Sequence, residues 1–174
     1  AVGTREPRKN LDRVIEAYSQ LTGSDPVSLV IVGKFGWGDD MEVRSDPPCG
    51  EAGKWEAGKI RLLGYVPKED LAGLYAGAEC FVYPSLYEGF GLPVLEAMAC
   101  GCPVVTSNVS SLPEVAGKAA ILVNPESTEE IAQGIEKAIK NRKELIEKGL
   151  KRAQEFSWEK TARETLTIYK EVSS

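Results

Sequence analysis

From Asn10 the apolar residues Leu11, Val14, Ile15, Tyr18 and Leu21 recur at three- and four-residue steps, the stripe of a helix with one inward face. Asn10 stands where an N-cap belongs and Gly23 where a helix stops. Short β-rich apolar runs follow at Val27 to Val32, Ile60 to Leu63, Cys80 to Tyr83, Pro103 to Thr106 and Ala119 to Val123. None alternates strictly, so each is expected to be a strand buried on both faces. Between them, helical spacing appears at Lys68 to Ala76, Leu92 to Cys100 and Thr128 to Lys140, with a short turn of helix near Leu112 to Val115. Alternating strands and helices imply right-handed crossovers, and hence a doubly wound α/β domain: a parallel sheet with helices on both faces.

The two ends add to this pattern. Ala1 to Thr4 reads as the tail of a strand running into a glycine turn, so the chain is expected to continue an element that starts upstream. Near the other end, a charged helical stretch spans Lys143 to Phe156. Ser157 then caps a helix whose Trp158, Ala162, Leu166, Tyr169 and Val172 form one apolar side, able to cover this domain or another. The connection from Lys34 to Lys59 is long and rich in glycine and proline, with a short helix expected near Asp40 to Arg44.

Composition narrows the class. The 174 residues carry 21 Lys+Arg against 26 Asp+Glu, 43% hydrophobic and 27% charged residues, as one soluble globular domain does. A net charge of −5 speaks against a nucleic-acid groove, so any anion site must be local. With no histidine, His triads and His zinc sites are excluded within the chain. No apolar run reaches membrane-spanning length and the N-terminus lacks the basic-then-apolar layout of a signal peptide, so a cytoplasmic protein is expected. Cys49, Cys80, Cys100 and Cys102 lack CxxC spacing and read as buried thiols.

Ligands of an open parallel sheet sit where strands end, so the loops leaving the strands carry the chemistry. After Tyr83 comes PSLYEGFGLPVLEAMACG, in which Gly89 and Gly91 flank Phe90 and a helix opens near Leu92 and Pro93. Such a turn offers backbone N–H groups and the positive helix end to a phosphate. Glu88 before the turn and Glu96 one helical turn inside can accept hydrogen bonds from sugar and ribose hydroxyls on either side of it; the plainer alternative makes them a loop charge and a surface helix charge. In the first loop, GTREPRKN, the cations Arg5, Arg8 and Lys9 oppose the macrodipole of the helix they precede unless an anion joins them. A diphosphate would resolve the conflict; the plainer alternative is a solvated basic turn. Gly33 and Lys34 lie in the loop after Val32, and Val66 in the strand-to-helix turn LLGYVPKEDL, whose main chain could read a base edge, though the same sequence would serve any strand-to-helix turn. Asp39, Asp40 and Glu42 have no fixed metal-ligand pattern, so no metal is expected.

The stretch from Phe81 to Pro125, with VGTREPRKNL, LVIVGK and RLLGYVPKEDL in the same order, resembles the donor-binding half of group 1 glycosyltransferases, the retaining family four with the GT-B fold. The resemblance covers nearly the whole chain. It implies residues 1–174 as a single nucleotide-sugar-binding domain and a nucleotide-diphosphate sugar as donor. It also implies retention of configuration, no metal, and a preceding acceptor-binding domain through which any membrane contact would be made. In the resemblance Glu88 is the catalytic residue and holds the donor sugar with the main chain of Gly89, Phe90 and Gly91. Leu92 lies at the diphosphate, Glu96 takes the ribose hydroxyls, Lys9 binds the diphosphate, and Val66 marks the base region; Gly33 and Lys34 complete the donor set. Thr4 replaces the arginine many members have after the first-loop glycine, which leaves Arg5 or Arg8 as partner of Lys9, with Arg8 nearer the helix start. Isolated from an acceptor domain, the chain is expected to bind donor without transferring sugar. The alternative is a non-catalytic nucleotide-binding regulatory module, distinguished by whether an acceptor domain accompanies it. A receiver or a dehydrogenase is disfavoured, because the strand ends lack clustered aspartates and GTREPR is no GxGxxG turn.

Overall fold

The computed structural model describes residues 1–3, 6–21, 27–33 and 60–173. Gly23, Thr4, Arg5, Lys34, Asp39, Asp40, Glu42 and Cys49, together with the helix expected near Asp40 to Arg44, lie outside these. After a single 3₁₀ turn at Pro7–Lys9 the order is α1 (Leu11–Ser19), β1 (Leu29–Val32), β2 (Ile60–Gly64), α2 (Lys68–Gly77), β3 (Phe81–Tyr83) and α3 (Leu92–Ala99). Then come β4 (Val104–Ser107), α4 (Leu112–Ala116), β5 (Ile121–Val123), α5 (Thr128–Lys140), α6 (Arg142–Ala153) and α7 (Trp158–Val172). From β2 to α5 strand and helix alternate as the apolar spacing predicts.

Every strand pairing is parallel, in two ladders, β1-β2 and β3-β4-β5, with Phe81 opposite Val104, Tyr83 opposite Thr106 and Ser107 opposite Val123. Val2 adds a parallel bridge to Val32, and the Ala1 amine donates to Val30 O at 2.8 Å, so the first residues run along the free edge of β1. The side chains of the three-stranded ladder divide cleanly between two cores. Val82, Val105 and Val123 join Leu29 and Ile31 under α1 and α5, whereas Phe81, Tyr83 and Val104 pack beneath α2, α3 and α4. Helices therefore cover both faces, as a doubly wound domain requires. The α5 side is so close that a Cβ on Gly134 would stand 2.7 Å from Val123 Cγ1.

Burial on both faces holds for β3 and β4 only. All of β2 is half-buried and Leu122 of β5 is exposed. An apolar run cannot reveal how completely the rest of the fold covers its strand. Ser127 and Ser157 cap α5 and α7, each accepting from the backbone N–H three residues on at 3.1 Å. No residue of α7 is buried; Trp158 is 77% and Val172 82% exposed, so the stripe does not cover this domain's core. Among the described residues no helix is long and apolar enough to cross a membrane.

Candidate functional site

The site forms where the first loop meets the exit of β3. Asn10 adopts a left-handed φ of 59° at the start of α1, and its side chain does not cap that helix. Instead the buried Nδ2 donates to Pro84 O at 3.0 Å and Pro125 O at 2.6 Å. One amide thus ties the first loop to the loops leaving β3 and β5. Leu86 N–H donates to Arg8 O at 2.8 Å, a further backbone tie between the same two segments. Arg8 and Lys9 are thereby held over the glycine turn.

Their target is Glu88, a buried carboxylate. Lys9 Nζ reaches Oε1 at 2.7 Å and Arg8 reaches Oε2 at 2.9 Å, while Arg8 Nε also pairs with Glu6 at 2.7 Å. The Tyr83 hydroxyl donates to Glu88 Oε1 at 2.9 Å and accepts a short hydrogen bond from Lys9 Nζ. Burial pushes the Glu88 carboxyl upward, but hydrogen bonds from Lys9 and Tyr83 more than offset it and hold it below the usual range. Glu88 is therefore anionic at neutral pH. Burial and the bond to Glu88 push the Tyr83 hydroxyl up, so it remains a donor. Glu88 is thus a buried, paired carboxylate rather than a solvated loop charge. The anion demanded by the misplaced cations of the first loop is supplied, in this structure, by Glu88 itself.

Tyr83 was not apparent from the sequence as a site residue. Its available signal was a hydroxyl at the end of an otherwise apolar strand, where a buried phenol needs a partner. Tyr83 stacks on Phe81 with ring centroids 5.5 Å apart, and Phe81 meets the Tyr75 ring edge-on at 5.1 Å. The Tyr75 hydroxyl stands 3.5 Å from Glu96 Oε2. An aromatic row under α3 therefore touches both glutamates, Glu88 through Tyr83 and Glu96 through Tyr75.

The turn itself is built for close approach. Gly91, at the start of α3, has φ 107°, and a Cβ there would lie 2.6 Å from Leu112 Cδ2. Gly89 by contrast faces open space. Phe90 and Leu92 are both 44% exposed beside it, and Glu96 is exposed one turn into α3. Gly33 N–H donates to Gly64 O at 2.8 Å, joining the loops after β1 and β2 two residues before the half-buried Val66. The structure thus brings Arg8 and Lys9 onto Glu88, with Gly89, Phe90, Gly91 and Leu92 continuing from it. Arg5 and Lys34 fall outside the described residues.

Among the described residues no cluster of three or more metal-ligating side chains is present. Burial pushes Cys80 up to about 12 and Cys102 up to about 11, so neither is a thiolate nucleophile at neutral pH.

The O-antigen chain mannosyltransferase B of Escherichia coli is 45% identical over 174 residues, covering 97% of this chain and 44% of that protein. The MMP alpha-(1->4)-mannosyltransferase of Mycolicibacterium hassiacum is 42% identical over 170 residues, covering 94% of this chain and 40% of that protein. The chain thus spans less than half the length of these curated relatives. Among solved structures, sucrose-phosphate synthase from Thermosynechococcus elongatus superposes with a TM-score of 0.73 at 26% identity, over 98% of this chain and 45% of that one. HepE from Anabaena, solved with UDP and glucose, superposes with a TM-score of 0.73 at 23% identity, over 96% of this chain and 48% of its own. The family described as glycosyl transferases group 1 matches residues 1–156, a span that runs from the first loop through α6 and holds the whole Arg8, Lys9 and Glu88 cluster, and the chain belongs to that family.

Proposed function

We propose that this chain is the donor-binding part of a retaining glycosyltransferase that takes a hexosyl unit from a nucleoside-diphosphate sugar. The observation that carries the reading is the convergence of Arg8 and Lys9 on the buried Glu88 at a glycine turn opening α3. The mannosyltransferase names of the curated relatives support a hexosyl donor, and the UDP in the Anabaena structure supports a nucleotide carrier.

The chemistry follows from an exchange of partners. Arg8 and Lys9 balance Glu6 and Glu88, so the resting cluster carries no net charge. A diphosphate brings more negative charge than one carboxylate and can approach the helix N-terminus as well. It takes over Lys9 and Arg8, and the freed Glu88 accepts hydrogen bonds from donor-sugar hydroxyls beside the main chain of Gly89, Phe90 and Gly91. Leu92 then lies at the diphosphate, Glu96 accepts from the ribose diol, and Val66 with Gly33 and Lys34 borders the base. As the glycosidic bond breaks, charge grows on the departing diphosphate, where the two cations and the helix end stabilise it. No metal is needed for that neutralisation. The acceptor is held by a preceding domain, and without it the chain binds donor but transfers nothing to an acceptor.

The two glutamates are expected to divide the work. Glu96→Ala should weaken a bare nucleoside diphosphate and its sugar-bearing form alike, through the ribose. Glu88→Ala should erase the preference for the sugar-bearing form and leave the bare nucleotide bound as well or better, because a competing carboxylate is gone. Calorimetric titration of both variants with UDP and UDP-glucose, and with GDP and GDP-mannose, separates the effects. Parallel losses of sugar and bare nucleotide in Glu88→Ala would overturn its assignment.

A further inference from the structure

Parallel pairing of β3 with β4 ends at Tyr83 and Thr106, yet the two chains stay tied beyond that point by hydroxyls. Thr106 Oγ1 donates to Tyr83 O at 2.9 Å and Ser107 Oγ to Ser85 O at 2.5 Å. Ser110 Oγ then donates to Glu88 O at 2.6 Å and accepts from Glu88 N–H at 3.1 Å, so one side chain grips both main-chain groups of Glu88. Ser111 Oγ lies within donating distance of Glu88 O at 3.0 Å and of Phe90 O at 2.8 Å. Four hydroxyls from one segment thus follow the backbone from Tyr83 to Phe90.

The arrangement is held against local preference. Ser110 has a φ of 61°, a left-handed conformation that a side chain disfavours and glycine adopts freely. Ser111 occupies the N-cap position of α4, but its hydroxyl makes no cap bond. A serine kept where glycine would relax the backbone, and another withheld from capping, both direct their hydroxyls to the same turn. Such strain persists where the surroundings impose it, commonly beside functional groups.

We propose that Ser110 is a positioning residue for the donor turn: by gripping the main chain of Glu88 it fixes the direction in which that carboxylate meets the donor sugar. Ser111 supports it from the Phe90 side. The proposal rests on the donor-binding reading above and adds the element that orients Glu88.

The decisive variant is Ser110→Gly, which releases the strained φ and deletes the grip together. A role confined to the turn predicts an unchanged or raised unfolding midpoint with unchanged ligand binding. Positioning predicts the same midpoint behaviour with a loss of roughly five- to tenfold in affinity for UDP-glucose, GDP-mannose or ADP-glucose, whichever the wild type binds, and a much smaller loss for the matching nucleoside diphosphate. Ser111→Ala, which keeps the backbone preference, should show a weaker loss of the same selective kind. Equal affinities in wild type and Ser110→Gly, or losses that track a fall in the midpoint, would overturn the positioning role while leaving donor binding intact. A wild-type chain that binds none of UDP-glucose, GDP-mannose and ADP-glucose would overturn the donor-binding reading and this proposal with it.

Discussion

Lys9→Ala is expected to weaken binding of a nucleoside diphosphate by roughly 10- to 150-fold, about 1.5 to 3 kcal/mol, while barely changing the binding of the nucleoside. The ammonium is the hub of the cluster, with Glu88 Oε1 at 2.7 Å and the Tyr83 hydroxyl on its other side. Removing it deletes a charge-assisted contact to the diphosphate. It also leaves Glu88 and Glu6 facing Arg8 alone, so the site changes from neutral to anionic and repels the ligand it should hold. Glu88 keeps Arg8 at 2.9 Å and Tyr83 at 2.9 Å, so the fold should survive. Lys9→Arg, which keeps the charge, should recover part of the affinity. Titration of uridine and UDP, or guanosine and GDP, against wild type and Lys9→Ala reads the effect directly, and equal losses for nucleoside and diphosphate would remove Lys9 from the diphosphate site.

Gly91→Ala is expected to produce the largest loss of stability among single-methyl additions at the turn, roughly 2 to 5 kcal/mol. Two independent penalties meet there. The φ of 107° is one that an alanine rarely adopts, and the new Cβ would stand 2.6 Å from Cδ2 of the fully buried Leu112. Leu112 has no room to retreat, since it packs in the core formed by α3, α4 and β4. Gly89→Ala provides the contrast, because a Cβ there meets nothing within 4 Å and no positive φ is involved. Urea unfolding should show a clear loss for Gly91→Ala and a change of at most about 1 kcal/mol for Gly89→Ala. Equal destabilisation of the two would contradict the packing described for the start of α3. A loss of that size is a large part of the roughly 5 to 15 kcal/mol that holds a typical domain together.

The elements with a full amphipathic period were legible to the residue: α5 at Thr128–Lys140 and α7 at Trp158–Val172 match the apolar spacing, and Ser157 caps α7 as expected, whereas the Ser127 cap of α5 emerges only from the structure. The strands were located, and β2 begins where its apolar run does, but the other four begin one or two residues later than theirs, because pairing rather than hydrophobicity decides where a ladder starts. The helix expected over Lys143 to Phe156 ends at Ala153, and Phe156 instead lies with its ring centroid 6.0 Å from that of Phe90 beside the glycine turn. A charged stretch with weak periodicity carries no signal for that departure.

For the site, residue chemistry was legible and its wiring was not. The sequence marks Arg8 and Lys9 as cations awaiting an anion and Glu88 as a carboxylate beside a phosphate-binding turn, yet they lie about 80 positions apart and only the fold shows that they satisfy one another. Asn10 has the identity of an N-cap residue, but two carbonyls from distant loops claim its amide. Tyr83, Ser110 and Ser111 escape a search for ligand-binding chemistry because they act on Glu88 through its carboxylate or its main chain. Hydroxyls of that kind are common in loops, and their partners are set by tertiary structure alone.

In the proposed function the cluster of Arg8, Lys9 and Glu88 receives a nucleoside-diphosphate sugar without a metal ion. Calorimetric titration of the wild-type chain with UDP-glucose, GDP-mannose and ADP-glucose in excess chelator, repeated with magnesium or manganese, tests this. Saturable binding of at least one of them to a single site per chain is expected, with the same affinity in chelator as in metal. Binding that appears only when a divalent cation is added, or no binding of any of the three under either condition, would contradict it.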